Sequence, residues 1–313
     1  MNTAAPQISI IIPTQRRPVG LEVAARSVFA QTDVDLSRIE LVIVDNDQAP
    51  SARDLVTRLS GDAPFPVTYV HEAAPGVANA RNAAMAAAQG DWIAFLDDDE
   101  EAGPGWLNAL LQAQARFDAD AVFGPVRGRA PASVVAHWAY LEWFFSRLGP
   151  ETAQVLDGYY GCGDSLVRRS SMPHPTAPFS PARNHSGGED DLLFGQMKQA
   201  GARFAWSPEA WVWEDPQPER LTLSYTLSRA FAYGQGPTEA AVAESDWTAV
   251  ARWMVIGLGQ GIVEGLAAGL LALTGSDRAV FRLDKAMRGL GKTFWWGPFR
   301  KTFYGHTPAA RAE

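Results

Sequence analysis

A run of four acids, Asp97, Asp98, Asp99 and Glu100, follows directly behind an apolar segment at residues 92–96. An apolar run of this length that stops at a charge is typical of a buried strand. In an open α/β sheet, ligands bind at the carboxyl edge of the strands, where carboxylates can hold a divalent cation and, through it, phosphate oxygens. An ordinary solvated acidic turn is the alternative that so short a motif leaves open.

The elements that must position these acids form a regular alternation in the first 100 residues. Strands are predicted at residues 8–12, 40–44, 66–70 and 92–96, and helices at residues 18–29, 52–59 and 76–90. This alternation predicts an α/β fold, with a mostly parallel sheet flanked by helices on both faces. Further helices are expected at residues 104–117, 189–201 and 221–233, and further strands at residues 121–124, 165–168 and 210–213.

Other carboxylates also stand at the ends of predicted elements. Asp45 ends the second strand, Glu214 ends the strand at 210–213, and Glu189, Asp190 and Asp191 begin a helix. Acids at a helix start also complement the helix dipole, which needs no chemistry. Two segments lack clear periodicity. Residues 130–160 are rich in aromatic rings, which suits either a core flap or a sugar-facing wall, and residues 171–187 read as a loop that could order on ligand binding.

Composition excludes several classes of function. The formal net charge of -8 argues against a nucleic-acid partner, because phosphates require a clustered basic face. The single cysteine, Cys162, excludes an intrachain disulfide framework and suits a reducing cytosol. Residues 1–12 show no export signal, so we expect a cytoplasmic protein.

The C-terminal part has a different character. Residues 246–273 are strongly apolar and close to the ~20 residues of a spanning helix, but Gln260, Glu264 and several glycines favour an interfacial or re-entrant helix pair. Residues 275–311 carry eight basic and two acidic side chains among aromatic rings, which suits an anionic membrane surface. The alternative is an ordinary helical subdomain that packs on the core.

Five ordered motifs over about residues 8–235 together resemble the family 2 glycosyltransferases, inverting enzymes of the GT-A fold. They resemble especially the bacterial exopolysaccharide branch, including succinoglycan-type glucosyltransferases. The motifs are Ile11-Ile12-Pro13-Thr14 with Arg17; Val44-Asp45-Asn46; Gly76 through Ala80-Arg81-Asn82; Phe95 to Asp99 with Pro104 and Trp106; and Gly188-Glu189-Asp190. The resemblance implies a GT-A domain at 1–240, with a nucleotide-sugar-binding half at 1–125 and an acceptor-binding half at 126–240. Residues 241–313 would form a helical, apolar and basic membrane-associating region.

The resemblance also implies a donor site and a metal. The donor-binding residues would be Pro13, Thr14, Arg17, Asp45, Gly76, Arg81, Asp97 and Asp98. Asp45 would accept a hydrogen bond from the base, usually uracil. Mn²⁺ or Mg²⁺ would be held by Asp99, Asp97 and Glu214; many relatives carry His at the last position, and a carboxylate is also a suitable hard-cation ligand. The cation would stabilise the nucleoside diphosphate that leaves.

On the acceptor side, the resemblance assigns Asp190 as the general base, with Asp191 as the fallback. The acceptor-binding residues would be Trp106, Gly163, Asp164 and Glu189. Glu100 is expected to be only a solvated neighbour of the acidic run. One base and a single displacement would invert the anomeric configuration.

These expectations describe a metal-dependent hexosyltransferase. It would move a hexose from a UDP-sugar to a growing, lipid-linked saccharide in cell-surface or exopolysaccharide synthesis, on the cytoplasmic face of the inner membrane. A nucleotidyltransferase is the enzyme alternative, but residues 13–17 are not a glycine-rich phosphate loop. A non-catalytic, membrane-associated nucleotide-sugar-binding protein is the other alternative. Glycoside hydrolysis also uses paired carboxylates, but it would not explain Asp45 and Arg81 at separate strand ends.

Overall fold

The computed structural model describes residues 7–134, 136–184 and 187–300 of the 313-residue chain. Their contacts divide into two compact units. The sheet unit contains residues 7–127 and Ser146–Asp215, and the helical unit contains Gly128–Phe145 and residues 216–300. The basic and aromatic residues predicted beyond 300 lie outside the described residues.

The sheet unit is built on an eight-stranded sheet in the order β3-β2-β1-β4-β9-β6-β10-β8. The strands are β1 (Ile8–Thr14), β2 (Ile39–Asp45), β3 (Val67–His71), β4 (Trp92–Phe95), β5 (Glu100–Ala102), β6 (Ala121–Phe123), β7 (Val126–Gly128), β8 (Gln154–Leu156), β9 (Ser165–Arg168), β10 (Phe204–Trp206) and β11 (Val212–Glu214). The first four strands are mutually parallel, as predicted. A second sheet has the order β5-β11-β7.

Helices cover the large sheet on both faces. They are α1 (Pro18–Phe29), α2 (Arg53–Asp62), α3 (Val77–Ala87), α4 (Trp106–Phe117), α5 (Trp138–Phe145), α6 (Glu189–Gln199), α7 (Leu223–Ala243), α8 (Trp247–Leu273) and α9 (Arg278–Thr293). Because successive strand residues point to opposite faces, Ile10 and Ile12 pack with residues of α1, α2 and α4, whereas Ile11 packs with residues of α3 and α6. This confirms the predicted α/β layering.

Strand β9 runs opposite to its two neighbouring strands at the sheet edge where the site forms. It lies between β4 and β6 and is antiparallel to both. Its first residue, Ser165, is in register with Phe95, the last residue of β4. The residues just before β9, at 161–164, therefore stand at the same sheet edge as the acids that follow β4.

The helical unit corrects the expectation of a helix pair within residues 246–273. This segment is one helix, α8, of 27 residues, and its partner is α9. Gly257 and Gly261 do not interrupt the helix; a Cβ at Gly257 would lie 2.5 Å from the carbonyl oxygen of Gly289 on α9. Small residues are thus needed where the two helices approach closely. Helix α7 also packs against α8 and α9, so the contact boundary falls at 215/216, whereas the sequence places the domain boundary at 240/241.

Candidate active site

The acidic run forms the turn between β4 and β5, at the carboxyl edge of the large sheet. Strand β11 runs antiparallel to β5, with Glu214 in register with Glu100. The backbone N–H of Asp215 donates to the carbonyl oxygen of Asp99 at 2.8 Å. The end of β11 therefore lies beside the turn, which is where the predicted ligand Glu214 was expected.

Two predicted donor residues hold the turn from the β1 side. The Thr14 hydroxyl donates to Asp98 Oδ2 at 2.8 Å. The Arg17 guanidinium donates to Asp98 Oδ1 and to Asp99 Oδ2, at 2.7 Å in each case. Burial raises the pKa of Asp98 to about 6, although Arg17 acts in the opposite direction. The loop after β1 and the acidic turn are thus one bonded unit.

At the end of β2, the structure places Asp45 inside the protein. Its side chain is fully buried and accepts bonds from the Ala52 backbone N–H at 2.7 Å and from the Tyr69 hydroxyl at 3.0 Å. These bonds tie the strand end to the start of α2. The predicted contact between Asp45 and a nucleobase stays a prediction. Pro13, also predicted for donor binding, is half-buried near the end of β1.

The predicted glycine, Gly76, stands at the start of α3 with a positive φ of 128°, which favours glycine. Its N–H donates to the side-chain oxygen of Asn46 at 2.9 Å. The side chain of Asn184 accepts from the N–H of Ala78 at 2.9 Å and occupies the space that a Cβ on Gly76 would need. The loop at 171–187 therefore reaches the first turn of α3.

Arg81 is the centre of the site. It is only 5% exposed, and it donates to Glu189 Oε1 at 2.6 Å and to Asp97 Oδ1 at 3.2 Å. Burial acts to lower the pKa of Arg81, but Cys162, Asp97 and Glu189 outweigh it and hold that pKa above its ordinary value. Its Nε has no hydrogen-bond partner among the residues that the structure describes, and its guanidinium lies over the ring of Phe179 at 5.6 Å. One side chain thus joins the acidic turn to the start of α6.

The predicted base, Asp190, lies in the first turn of α6 and is partly exposed. Its Oδ2 accepts from the Cys162 backbone N–H at 3.2 Å, and its Oδ1 accepts from the N–H of Asp191 at 2.9 Å. These bonds orient the carboxylate while leaving it accessible to solvent. The neighbouring Glu189 is buried against Arg81, and burial raises the pKa of its carboxyl.

The comparisons with known proteins agree with this arrangement. The family model described as "Glycosyl transferase family 2" matches residues 9–173. The succinoglycan biosynthesis protein ExoM of Rhizobium meliloti (strain 1021) is 36% identical over 228 residues, which cover 73% of this chain and 73% of ExoM. The chain belongs to the family 2 glycosyltransferases.

Two other similar proteins align with this chain over a smaller share of their own length. The GalNAc(5)-diNAcBac-PP-undecaprenol beta-1,3-glucosyltransferase of Campylobacter jejuni is 30% identical over 108 residues, 34% of each chain. The crystal structure of S. aureus TarS 1-349 in complex with UDP-GlcNAc aligns with a TM-score of 0.52 at 18% identity, over 67% of this chain and 59% of TarS. The latter supports the GT-A fold of this glycosyltransferase.

Glu100 of the glycosyltransferase is not the solvated neighbour that the sequence suggested. It is buried, and one of its oxygens accepts from the Asp97 backbone N–H at 2.8 Å. Burial, together with the nearby Asp97 and Asp164, raises the pKa of Glu100 well above its usual range. The expectation was wrong because Glu100 begins β5, which pairs with β11, and its side chain bonds back to the Asp97 backbone. The carboxyl of Glu100 closes the turn from within.

Two of the predicted acceptor-binding residues, Trp106 and Asp164, lie in the interior of the protein and bond to each other. The Trp106 indole N–H donates to Asp164 Oδ1 at 2.7 Å, and both side chains are fully buried. Burial raises the pKa of Asp164 to about 7. Gly163 lies against the Asp97 carboxylate, where a Cβ would come within 2.7 Å. Direct contact of these residues with an acceptor stays a prediction.

Arg147 and Asn184 were not predicted from the sequence. Arg147 donates to the carbonyl oxygen of Gly163 at 2.6 Å and lies over the ring of Tyr160 at 5.8 Å, so it fixes the 161–164 segment. It is one of many arginines between two apolar stretches, and nothing in its neighbours marks it. Asn184 lies in a segment without periodicity, and its role at α3 depends on a contact across more than 100 residues.

The predicted metal ligands fit a divalent cation chemically but do not form a cluster. Within residues 7–134, 136–184 and 187–300, no group of three or more His, Cys, Asp or Glu side chains could hold a metal ion. Mg²⁺ commonly binds through one or two carboxylates and the phosphates of the substrate, so a complete protein cage is not required. Asp97 and Asp99 are hard oxygen ligands of the right type. In the structure Asp97 is bonded by Arg81 and Asp99 by Arg17.

Proposed function

We propose that this glycosyltransferase moves a hexose from a UDP-sugar to a hydroxyl group of a growing, lipid-linked saccharide, with Asp190 as the general base. The observation that carries the proposal is the double contact of Arg81. Its guanidinium joins Asp97, at the donor edge, to Glu189, the residue before the base. A donor sugar held at the acidic turn would therefore have the Asp190 carboxylate on the neighbouring segment.

The chemical step is a single displacement. The acceptor hydroxyl oxygen attacks the anomeric carbon, the bond from that carbon to the diphosphate oxygen breaks, and the hydroxyl proton passes to Asp190. The attack comes from the face opposite the leaving group, so the anomeric configuration is inverted. A partly exposed carboxylate at a helix start is suited to this role because an acceptor hydroxyl can reach it.

The donor side is assembled from the ends of neighbouring parallel strands. Thr14 ends β1 and Arg17 follows it, Gly76 stands at the start of α3, and Arg81 lies on α3 about one turn further on. Arginine side chains offer several donors in a fixed plane, which suits a diphosphate. TarS has been crystallised with UDP-GlcNAc, which supports a UDP-sugar as the donor of this relative in fold.

A divalent cation, Mn²⁺ or Mg²⁺, is part of the proposal. Asp99 would hold it, with Asp97 and Glu214 as further ligands, and Glu214 is supported by its register beside the turn. The cation would supply positive charge to the diphosphate as the glycosidic bond breaks. The protein itself places the carboxylates of Asp97 and Asp99 at the turn. Arg81 bonds the first and Arg17 bonds the second.

The relatives support the proposed acceptor and setting. ExoM is a succinoglycan biosynthesis protein, and the Campylobacter jejuni relative is a glucosyltransferase that acts on an undecaprenol-linked saccharide. We therefore place this enzyme in cell-surface or exopolysaccharide synthesis, attached to an anionic membrane surface at the cytoplasmic face. The apolar helix α8, which is long and apolar enough to cross a membrane, supports a membrane-associated site of action.

The proposal is tested with the full chain and membrane extracts as acceptor source. UDP release is measured with a series of UDP-hexoses, and mass spectrometry identifies the product. Asp190→Asn should keep UDP affinity by calorimetry and lower turnover by about 100- to 10,000-fold. Asp191→Asn, which changes the adjacent exposed acid, is the matched control and should stay near wild type. Normal turnover by Asp190→Asn would refute the base assignment.

The cation is tested separately by UDP calorimetry with and without Mn²⁺. Wild type should bind more tightly with Mn²⁺, and Asp99→Asn should lose that gain. Asp62→Asn, a remote exposed acid paired with Arg26, is the control. Equal binding with and without the cation in wild type would reject the metal while leaving the assignment of Asp190 intact.

A further inference from the structure

The outer face of α8 is a continuous apolar surface. The exposed large side chains on it are Val255, Leu258, Ile262, Val263, Leu266, Leu270 and Leu273, with exposures from 47% to 85%. Their spacing of three and four residues places them along one side of the helix. From residue 253 to residue 273, Glu264 is the only charged residue. A stripe of this length far exceeds the scattered apolar side chains of an ordinary protein surface.

The opposite side of α8 is closed by α9. Val250, Gly257, Gly261 and Ala268 are the buried residues of α8 and repeat at helical spacing. A Cβ on Gly289 of α9 would come within 2.7 Å of the Gly261 backbone N. The two helices thus form an antiparallel hairpin whose glycines allow the backbones to touch. The apolar stripe faces away from this contact.

The charged residues of α9 lie beside the middle of α8. Arg282 pairs with Glu264 at 3.0 Å, and Lys292 donates to the side-chain oxygen of Gln260 at 3.0 Å. If α8 crossed a bilayer, the middle of the helix would lie at the centre of the hydrocarbon and would bring these charges with it. Charged groups are costly at that depth. A spanning position is therefore incompatible with the hairpin.

The same charges suit the headgroup region. Helix α9 carries Arg278, Arg282, Lys285, Arg288 and Lys292 against one acid, the buried Asp284, which pairs with Arg288 at 2.7 Å. Packed helices are separated by about 8–10 Å between axes. With the stripe of α8 in the acyl region, α9 would lie at the level of the lipid phosphates. Basic side chains at that level are attracted to anionic lipids.

We infer that α8 and α9 form a hairpin that lies in the plane of one leaflet, with the stripe of α8 buried in lipid and the cations of α9 on anionic headgroups. The inference rests on the proposed membrane setting and specifies how the chain is attached. A second copy of the chain is the less favoured occupant of the stripe, because it would bring the same five cations of α9 to the interface.

Binding is tested by co-sedimentation of the full chain with vesicles of phosphatidylcholine, with and without 30% phosphatidylglycerol. Wild type should bind the anionic vesicles at least tenfold more tightly. Leu266→Glu should abolish binding, and Ala240→Glu, an exposed change on α7, should not. Wild type that stays in solution, or that forms dimers which Leu266→Glu dissociates, would overturn the inference.

The orientation is tested by depth-dependent quenching of a fluorophore on single cysteines at Val255, Ile262 and Leu270. In-plane insertion predicts equal depths. A spanning helix predicts that Ile262 lies deeper than Val255 and Leu270 by roughly 10–12 Å, from a rise of 1.5 Å per residue over seven and eight residues. The native Cys162 is 1% exposed, so it contributes little background labelling.

A second experiment determines on which side of the membrane the turn between α8 and α9 lies. It uses Thr274→Cys, an exposed position in that turn. A membrane-impermeant maleimide added outside the vesicles should label it fully. Protection until detergent is added would show a crossing and would overturn the inference. UDP calorimetry on the same variants separates this outcome from the proposed function, because a failure of membrane attachment should leave UDP affinity unchanged.

Discussion

Replacement of Arg81 by methionine should destabilise the sheet unit by an amount that depends strongly on pH. Arg81 is 5% exposed and its partner Glu189 is 6% exposed, with the two joined at 2.6 Å. Removal of one partner from a buried ion pair costs about 3–5 kcal/mol, since it leaves an uncompensated charge. The second contact, to Asp97, adds little because that side chain is 37% exposed. We expect a loss of about 3–5 kcal/mol in unfolding free energy at pH 7.5.

The pH dependence follows from the carboxyl group left behind. Burial raises the pKa of Glu189, and Arg81 acts to lower it. Without Arg81, the folded-state pKa rises further above the unfolded value of about 4.3. A carboxyl with a raised pKa in the folded state binds a proton more readily there, so its penalty is absent below the unfolded pKa and grows as pH rises through the folded pKa. The deficit of Arg81→Met should therefore shrink as the pH falls towards 5.

Urea unfolding between pH 5 and pH 8 measures this deficit. The double variant Arg81→Met with Glu189→Gln should recover most of the loss at pH 8, because the remaining side chain is neutral. Arg16→Met is the matched control: Arg16 pairs with Asp47 at 2.7 Å but is 62% exposed. Exposed pairs contribute little to stability, because solvent screens them. A deficit of Arg81→Met no larger than that of Arg16→Met, or one that is constant with pH, would refute the buried pair.

Two further predictions concern the support of the sheet edge and the helical hairpin. Asp164→Asn should keep the bond from Trp106 but remove a carboxyl whose pKa is raised to about 7. Its free energy of unfolding, compared with that of wild type by thermal unfolding, should therefore be higher at pH 8, by at most about 4 kcal/mol, and equal near pH 4. Parallel melting profiles would contradict this. Gly289→Val should cost about 1–3 kcal/mol, because its Cβ meets the Gly261 backbone, whereas Gly269→Val, with open space around it, should be near neutral in the same thermal unfolding.

The strands that carry the site could be predicted because their sequences are unambiguous. In β1, all but one of the residues are buried, and an apolar run of this kind has few other solutions. The acids at 97–99 could be placed at a sheet edge for the same reason. The direction of β9 could not be predicted, because a four-residue strand has the same pattern in either direction. Its reversal is what brings Gly163 and Asp164 beside the acidic turn.

For the site residues, the burial of the side chain was harder to predict than the place of the residue in the fold. Glu100 stands next to three other acids, so sequence reasoning expects it in solvent, yet it is 4% exposed and bonds to the Asp97 backbone. Trp106 and Asp164 bond to each other in the interior, which the sequence did not indicate, and their contact with an acceptor stays a prediction. In each case a contact between distant segments decides the outcome. Composition and periodicity do not contain that contact.

For helix α8, the sequence suggested a break that the structure does not have. Its glycines suggested a break, since glycine is unfavourable inside helices by about 1 kcal/mol relative to alanine. The close approach of α9 compensates for this cost, because Gly257 and Gly261 let the two backbones touch. The glycines are therefore spaced for a partner helix. That partner lies beyond the apolar segment, so the segment by itself could not reveal it.

The charges around the site also bear on the proposed cation. The acids Asp97, Asp98, Asp99, Glu189 and Asp190 lie near two arginines, Arg17 and Arg81. A nucleoside diphosphate would add negative charge to an edge where carboxylates already outnumber arginines. The divalent cation of the proposed function, bound together with the diphosphate, would offset this negative charge.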